Sequence, residues 1–316
     1  MTLTITRRAP DHEVRRPPRS RRIKEPAVDR TFHVINSCLL ALFALSVLYP
    51  LVYVFSSSFS SGGAIASGAV KLWPVGFNLD AYGTIFGTAS IMTGFANSVF
   101  YAVAGALLGT ALTVLAGYPL SRPDLPFRRG LLFFILIPTL FSAGIIPSYV
   151  VIDKLGLMNT RWAIVLPAAM SVFNVIITRA FYQLTIPKEL LEAARMDGAS
   201  DARFCLQIAL PLSKPIIAVN LLFYGIAQWN GWFSSMLYLT DPSKYPLQLI
   251  LREILALGAV NPADLGSADA AQLERNKELF DKLRYAVIVV AMIPPLIAYP
   301  FVQRHFVKGA LIGSLK

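Results

Sequence analysis

Charge is scarce in this sequence. Only 15% of its 316 residues are Asp, Glu, Lys or Arg and 55% are hydrophobic, whereas a soluble domain carries about a quarter charged residues. The shortage is concentrated. No charged side chain occurs in 34–70, 81–121, 130–152, 162–178, 215–240 or 285–303. A helix crosses the hydrocarbon core of a bilayer with about 20 apolar residues, and only helices or closed barrels satisfy the backbone there. None of the windows alternates in the manner of barrel strands. The shortest, 162–178, extends through Phe181 and Tyr182 if Arg179 snorkels to the interface. The expected fold is therefore an all-α membrane protein with six transmembrane helices, near 34–55, 94–118, 131–150, 163–182, 215–237 and 285–301.

Other absences exclude chemistry. The two cysteines, Cys38 and Cys205, suit neither a structural disulfide nor a metal pattern, and His12, His33 and His305 have no ligand spacing. No G-x-x-x-x-G-K-[ST] phosphate loop is present, and no nucleophile has a histidine at a plausible site. The chain is expected to be no enzyme and to bind no metal or cofactor of its own. No carboxylate lies within a span, and no inverted repeat is visible, which argues against a proton- or sodium-coupled carrier. A cleavable signal peptide is also missing, because the first apolar stretch begins late and is too long.

What charge there is carries information. With the N-terminus inside, the inner segments hold 19 Lys and Arg: nine before Thr31, three in 119–129, four in 185–214 and three after Gln303. The outer loops hold nine, balanced by nine acids. That asymmetry follows the positive-inside rule and puts both termini in the cytoplasm. The net charge of +11 therefore does not indicate nucleic acid; the run 15–24 (RRPPRSRRIK) reads as a lipid-facing cytoplasmic tail. Four regions are expected: a basic tail (1–31), a first span with its outer loop (32–90), a core of five spans (91–304), and a C-terminal cytoplasmic tail (305–316). Span two is rich in Gly and Ala, which allow close helix contacts in lipid, so it is expected at the centre of the bundle. The outer loop 238–283 holds an amphipathic piece, 247–257, and a charged helical run, 270–283.

The inner loop 185–214 is the informative one. Pro187 suits a helix start, and Leu190, Leu191 and Ala194 make an apolar edge. Gly198 stands where a left-handed residue ends that helix. Ser200 and Asp201 are good N-caps for a second short helix reaching Ile208, with Leu210-Pro211 expected to end it. A helix–turn–helix tied to two spans transmits displacement rather than performing a reaction.

Here the sequence resembles a family. Glu192-Ala193-Ala194, three residues, Gly198, nine residues, then Ile208-Ala209-Leu210-Pro211 fits the EAA loop of binding-protein-dependent ABC importer permeases, and Asp197 and Pro215 agree with it. Asn97-Ser98, the run 117–122 (GYPLSR) and the ending 306–309 (FVKG) look like the carbohydrate-uptake branch. Residues 145–149 (IIPSY) and 228–230 (QWN) resemble permeases for oligosaccharides, the group related to the maltose permease subunits. The resemblance implies a MetI-like bundle in a bacterial cell membrane. Its implied partners are an ABC ATPase dimer that uses ATP and Mg, a second permease subunit, an extracytoplasmic solute-binding protein and an oligosaccharide. It also implies that Glu192, Ala193, Ala194, Asp197, Gly198, Ile208, Leu210 and Pro211 seat in a cleft of the ATPase. In the maltose permease relative the C-terminal tail also reaches the ATPase, which here would be 305–316.

Polar residues inside spans tend to face a cavity. Asn220, Tyr224 and Gln228 recur four residues apart on one helical stripe, and Ser171, Asn174 and Thr178 share another. Amides and a phenol suit a sugar. The same residue types also make interhelical hydrogen bonds, and both roles stay open. Trp229 and Trp232 can stack on sugars, but interfacial anchoring suits tryptophan better. Two rival functions stand beside an oligosaccharide importer: an importer for polyamines, phosphonates or amino acids, and a secondary carrier or channel.

Overall fold

A computed structural model describes residues 27–141, 143–257, 280 and 283–300, and the described residues contain helices and loops but no strand. The basic run 15–24, most of the helical run expected at 270–283 and the tail 305–316 lie outside the described residues. The chain divides into two units, 1–50 and 51–316. The part of helix α1 (Ala27–Ser58) in the first unit buries none of its described side chains.

The second unit is organised on α4 (Ala89–Ser121), which extends the expected second span at both ends. Packed on it are α3 (Asp80–Gly87), α7 (Trp162–Val165), α8 (Val172–Thr185), α12 (Lys214–Asn230) and α14 (Leu247–Leu257). Span two is thus central, as its small residues imply, and the reason is steric. A Cβ on Gly109 would lie 2.7–2.9 Å from the ring of Tyr224, and one on Gly105 would lie 2.5 Å from Cγ of Gln228. Glycine lets α12 approach the α4 backbone directly.

Among the described residues, three helices are long and apolar enough to cross a membrane: 28–58 within α1, α4, and α15 (Leu283–Pro300). The other three expected spans are not continuous helices. The third is split into α5 (Arg128–Leu140) and α6 (Ile145–Lys154), with Gly144 at φ +81° in the break. The fourth is interrupted after α7 around Pro167 and resumes as α8. The fifth stops at Gly231, and a separate short helix, α13 (Phe233–Tyr238), holds its remainder. Proline removes a backbone donor and glycine lowers helix propensity, so each interruption sits on a residue of that kind.

Proline costs α15 less. Pro295 cannot donate to the carbonyl of Ala291, and the indole Nε1 of Trp229 donates to that oxygen at 3.0 Å instead. Trp229 is 3% exposed and packs with Ile91, Leu247, Val287 and Ala291. It is a core brace, neither a sugar platform nor an interfacial anchor.

Candidate functional site

The inner loop folds into the expected pair of short helices. In α9 (Lys188–Met196) the apolar edge turns inward through Ala194, while Glu192, Ala193, Met196 and Asp197 face outward, Met196 being 89% exposed. Gly198 ends it at φ +76°. Its N–H donates to Arg195 O at 3.0 Å and the Ala199 N–H to Ala194 O at 2.9 Å, the paired bonds of a Schellman motif. Ser200 then caps α10 (Asp201–Phe204), its Oγ accepting from the Arg203 N–H at 3.3 Å.

Leu210-Pro211 does not end the second helix. A π-helical turn at Cys205–Ala209 leads into α11 (Leu210–Leu212), and the chain turns only at Ser213. The wider turn relaxes the backbone where the proline ring would meet the carbonyl four residues back. Ile208 and Leu210 are half-buried and Pro211 is exposed. Burial pushes the Cys205 thiol up, away from reactivity.

Two fastenings hold this element to the ends of α4 and α8. One is apolar: Ala194, Phe204 and Ala209 bury against Tyr118 and Tyr182, whose rings meet edge to face at 5.3 Å. The other is ionic. Arg122 grips Asp124 through Nε at 2.9 Å and Nη2 at 2.7 Å and reaches Asp201 at 3.3 Å, while Arg195 meets Asp124 at 2.7 Å and Asp201 at 3.3 Å. The bidentate Arg122 guanidinium, helped by Arg195, holds the Asp124 carboxyl well below the usual carboxylate range. Asp124 in turn raises both Arg122 and Arg195. Sequence reasoning did not assign this ring. Its signal was Arg122 in the run 117–122 and Asp124 two residues later.

Of the six polar residues of the fourth and fifth expected spans, Thr178, Asn220 and Tyr224 meet between α4, α8 and α12, while Gln228 turns to α7. Asn220 Nδ2 donates to Thr178 Oγ1 at 2.8 Å, and the Tyr224 hydroxyl lies 2.6 Å from Thr113 Oγ1 and accepts from the Ser171 N–H at 2.8 Å. Gln228 Nε2 donates to Ile164 O at 3.4 Å. Asn174 is buried in the same helix as Thr178. At the other end of α4, Asn97 Nδ2 donates to the carbonyls of Ser243 and Tyr245, and Ser98 Oγ accepts from Leu247 N. This is the physical role of the Asn97-Ser98 pair: it ties the α13–α14 connection to the central helix.

A family profile described as "Binding-protein-dependent transport system inner membrane component" matches residues 109–311. The chain belongs to this family. It is a permease, a multi-pass inner membrane protein and not an enzyme; ATP hydrolysis in such importers belongs to a separate subunit. The polygalacturonan/rhamnogalacturonan transport system permease protein YtcP of Bacillus subtilis (strain 168) is 39% identical over 91% of this permease and 99% of its own length. Protein LplC of the same organism is 38% identical over 91% and 95%. A solved permease chain from a bacterial ABC transporter involved in the import of the acidic polysaccharide alginate superposes with a TM-score of 0.80 at 36% identity, covering 89% of this chain and 99% of that one.

Proposed function

We propose that this permease is one of two membrane subunits of an ABC importer that carries an acidic, uronate-bearing oligosaccharide, delivered by a solute-binding protein. The observation that carries this reading is the helix pair 188–212, whose outward face is exposed while its inward face is fastened to the ends of α4 and α8. Glu192, Ala193, Ala194, Asp197, Gly198, Ile208, Leu210 and Pro211 are proposed to seat on an ATPase dimer, which binds ATP and Mg; this chain binds neither. In this reading six spans cross the membrane, the broken ones included, and both termini are cytoplasmic.

The relatives named above for polygalacturonan and alginate support an acidic cargo. On this chain, the Arg252 guanidinium lies 4.5 Å from the Trp232 ring centre, a cation beside an aromatic face that suits a uronate ring. Ser171, Asn174, Thr178, Asn220, Tyr224 and Gln228 are proposed to brace α8 and α12 in this conformation and to face the solute when those helices part. An Asn220→Cys variant tests that step: thiol labelling that rises when ATP drives transport supports it, and labelling indifferent to ATP opposes it. The cargo is tested by calorimetry of the cognate solute-binding protein with galacturonate and with neutral oligosaccharides. Binding of the acidic sugar alone fits the reading; binding of a polyamine, phosphonate or amino acid instead would replace it.

A further inference from the structure

We propose that the inner end of α4 carries a binding site for the phosphate of an anionic phospholipid headgroup, built by Arg128 and Arg179. The proposal rests on the reading above only in that α4, α5 and α8 end at one face of a bilayer.

The last carbonyls of a helix have no partner inside it, and a basic side chain commonly supplies one. Here two do so for a single oxygen. Arg128 Nε donates to Leu120 O at 2.9 Å and Arg179 Nε donates to the same oxygen at 3.1 Å. One carbonyl cannot neutralise two guanidinium groups, and the two Nε atoms are held within about 6 Å of each other, where like charges repel. No carboxylate among the described residues lies within ion-pair distance of either arginine. The nearby acids are already engaged: Asp124 and Asp201 belong to the ring with Arg122 and Arg195.

Bonding through Nε leaves the Nη groups of both arginines without an acceptor among the described residues. Arg128 also lines a cavity of about 290 Å³ with Ser121, Gln183 and Lys188. Lys188 adds a third cation with no ion pair among the described residues, and Gln183 a side-chain amide. A phosphate offers the acceptor oxygens and the negative charge this arrangement lacks, and arginine forks match its geometry.

Two neighbours indicate a lipid rather than a soluble phosphate. Phe127, next to Arg128, is 88% exposed in a left-handed conformation (φ +56°), and Leu184, next to Gln183, is 81% exposed. Large apolar side chains so exposed beside a cationic cavity suit the boundary between headgroup and acyl chain.

The test uses the complete importer in nanodiscs of phosphatidylcholine with or without phosphatidylglycerol, extracted and weighed by native mass spectrometry. Wild type is expected to retain phosphatidylglycerol, and the Arg128→Gln/Arg179→Gln double variant to retain it about tenfold less. Arg129→Gln, a change at a neighbouring exposed cation, is expected to behave as wild type, and Arg128→Lys/Arg179→Lys, which keeps the charge but not the fork, to retain an amount between wild type and the glutamine variant; both also show that the fold survives change here. Equal retention of both lipids, or retention indifferent to the double glutamine variant, would overturn the proposal. So would arginine-dependent binding of glycerol phosphate without lipid retention, which would mark a soluble-anion site. Loss of the ATPase from the glutamine variant with lipid retention unchanged would show that a partner carboxylate fills the site, again against it. Lipid retention is read without transport, so failure of the importer reading leaves this measurement standing.

Discussion

Gly198 holds φ +76°, a backbone state that an L-residue with a side chain enters only at a cost of roughly 1–2 kcal/mol. Space is not the constraint, since a Cβ there would meet nothing within 4 Å. Gly198→Val should therefore unwind the α9–α10 turn without disturbing the spans, and limited proteolysis of the loop should detect it. Asp124 offers a second test. Its carboxyl is held down by Arg122 and then Arg195, so its stabilising effect is present above the ordinary carboxylate pKa of about 3.9 and is lost only as pH falls below it. Asp124→Asn should lower loop stability by on the order of 1 kcal/mol, because the pairs are partly exposed. Hydrogen exchange in α9 should show that penalty unchanged between about pH 5 and 8; a penalty that vanished in that window would refute the assigned ionisation.

At the scale of elements, the α4–α12 contact depends on missing side chains and on one hydroxyl. Gly109→Val drives a branched side chain into Tyr224 and should cost about 1–3 kcal/mol in the melting of the purified complex. Tyr224→Phe removes the hydroxyl that meets Thr113 and accepts from the Ser171 N–H, leaving a partly buried donor and the buried Thr113 hydroxyl unpaired at about 1–3 kcal/mol. Melting indistinguishable from wild type would contradict either assignment. The bundle's centre was legible in sequence because small residues at helical spacing have one reading in lipid. The Schellman turn at Gly198 and the cap at Ser200 were legible because local backbone chemistry decides them. The break at Pro167 was legible as a proline inside a span, whereas those at Gly144 and Gly231 were not, since hydropathy windows see composition and not continuity. The Arg122–Asp124–Arg195–Asp201 ring was hidden for another reason: its members are up to 79 residues apart and meet only once α4 and α8 end side by side.

For the whole molecule, the charge ring, the tyrosine pair and the chain itself connect one small helix pair to α4, α8 and α12. In the proposed reading, a displacement applied to the outward face of α9 is carried to the polar seam between those helices. The permease family and the relatives named for saccharides make a sugar importer the setting for that movement. The most direct measurement is co-purification of the ATPase with the permease, paired with ATP-driven oligosaccharide uptake in proteoliposomes, for wild type and Gly198→Val. Wild type should carry the ATPase and accumulate sugar, and the variant should reach the membrane in normal amount yet lose both. A Gly198→Val permease that binds its ATPase and transports like wild type would contradict the coupling role of the loop.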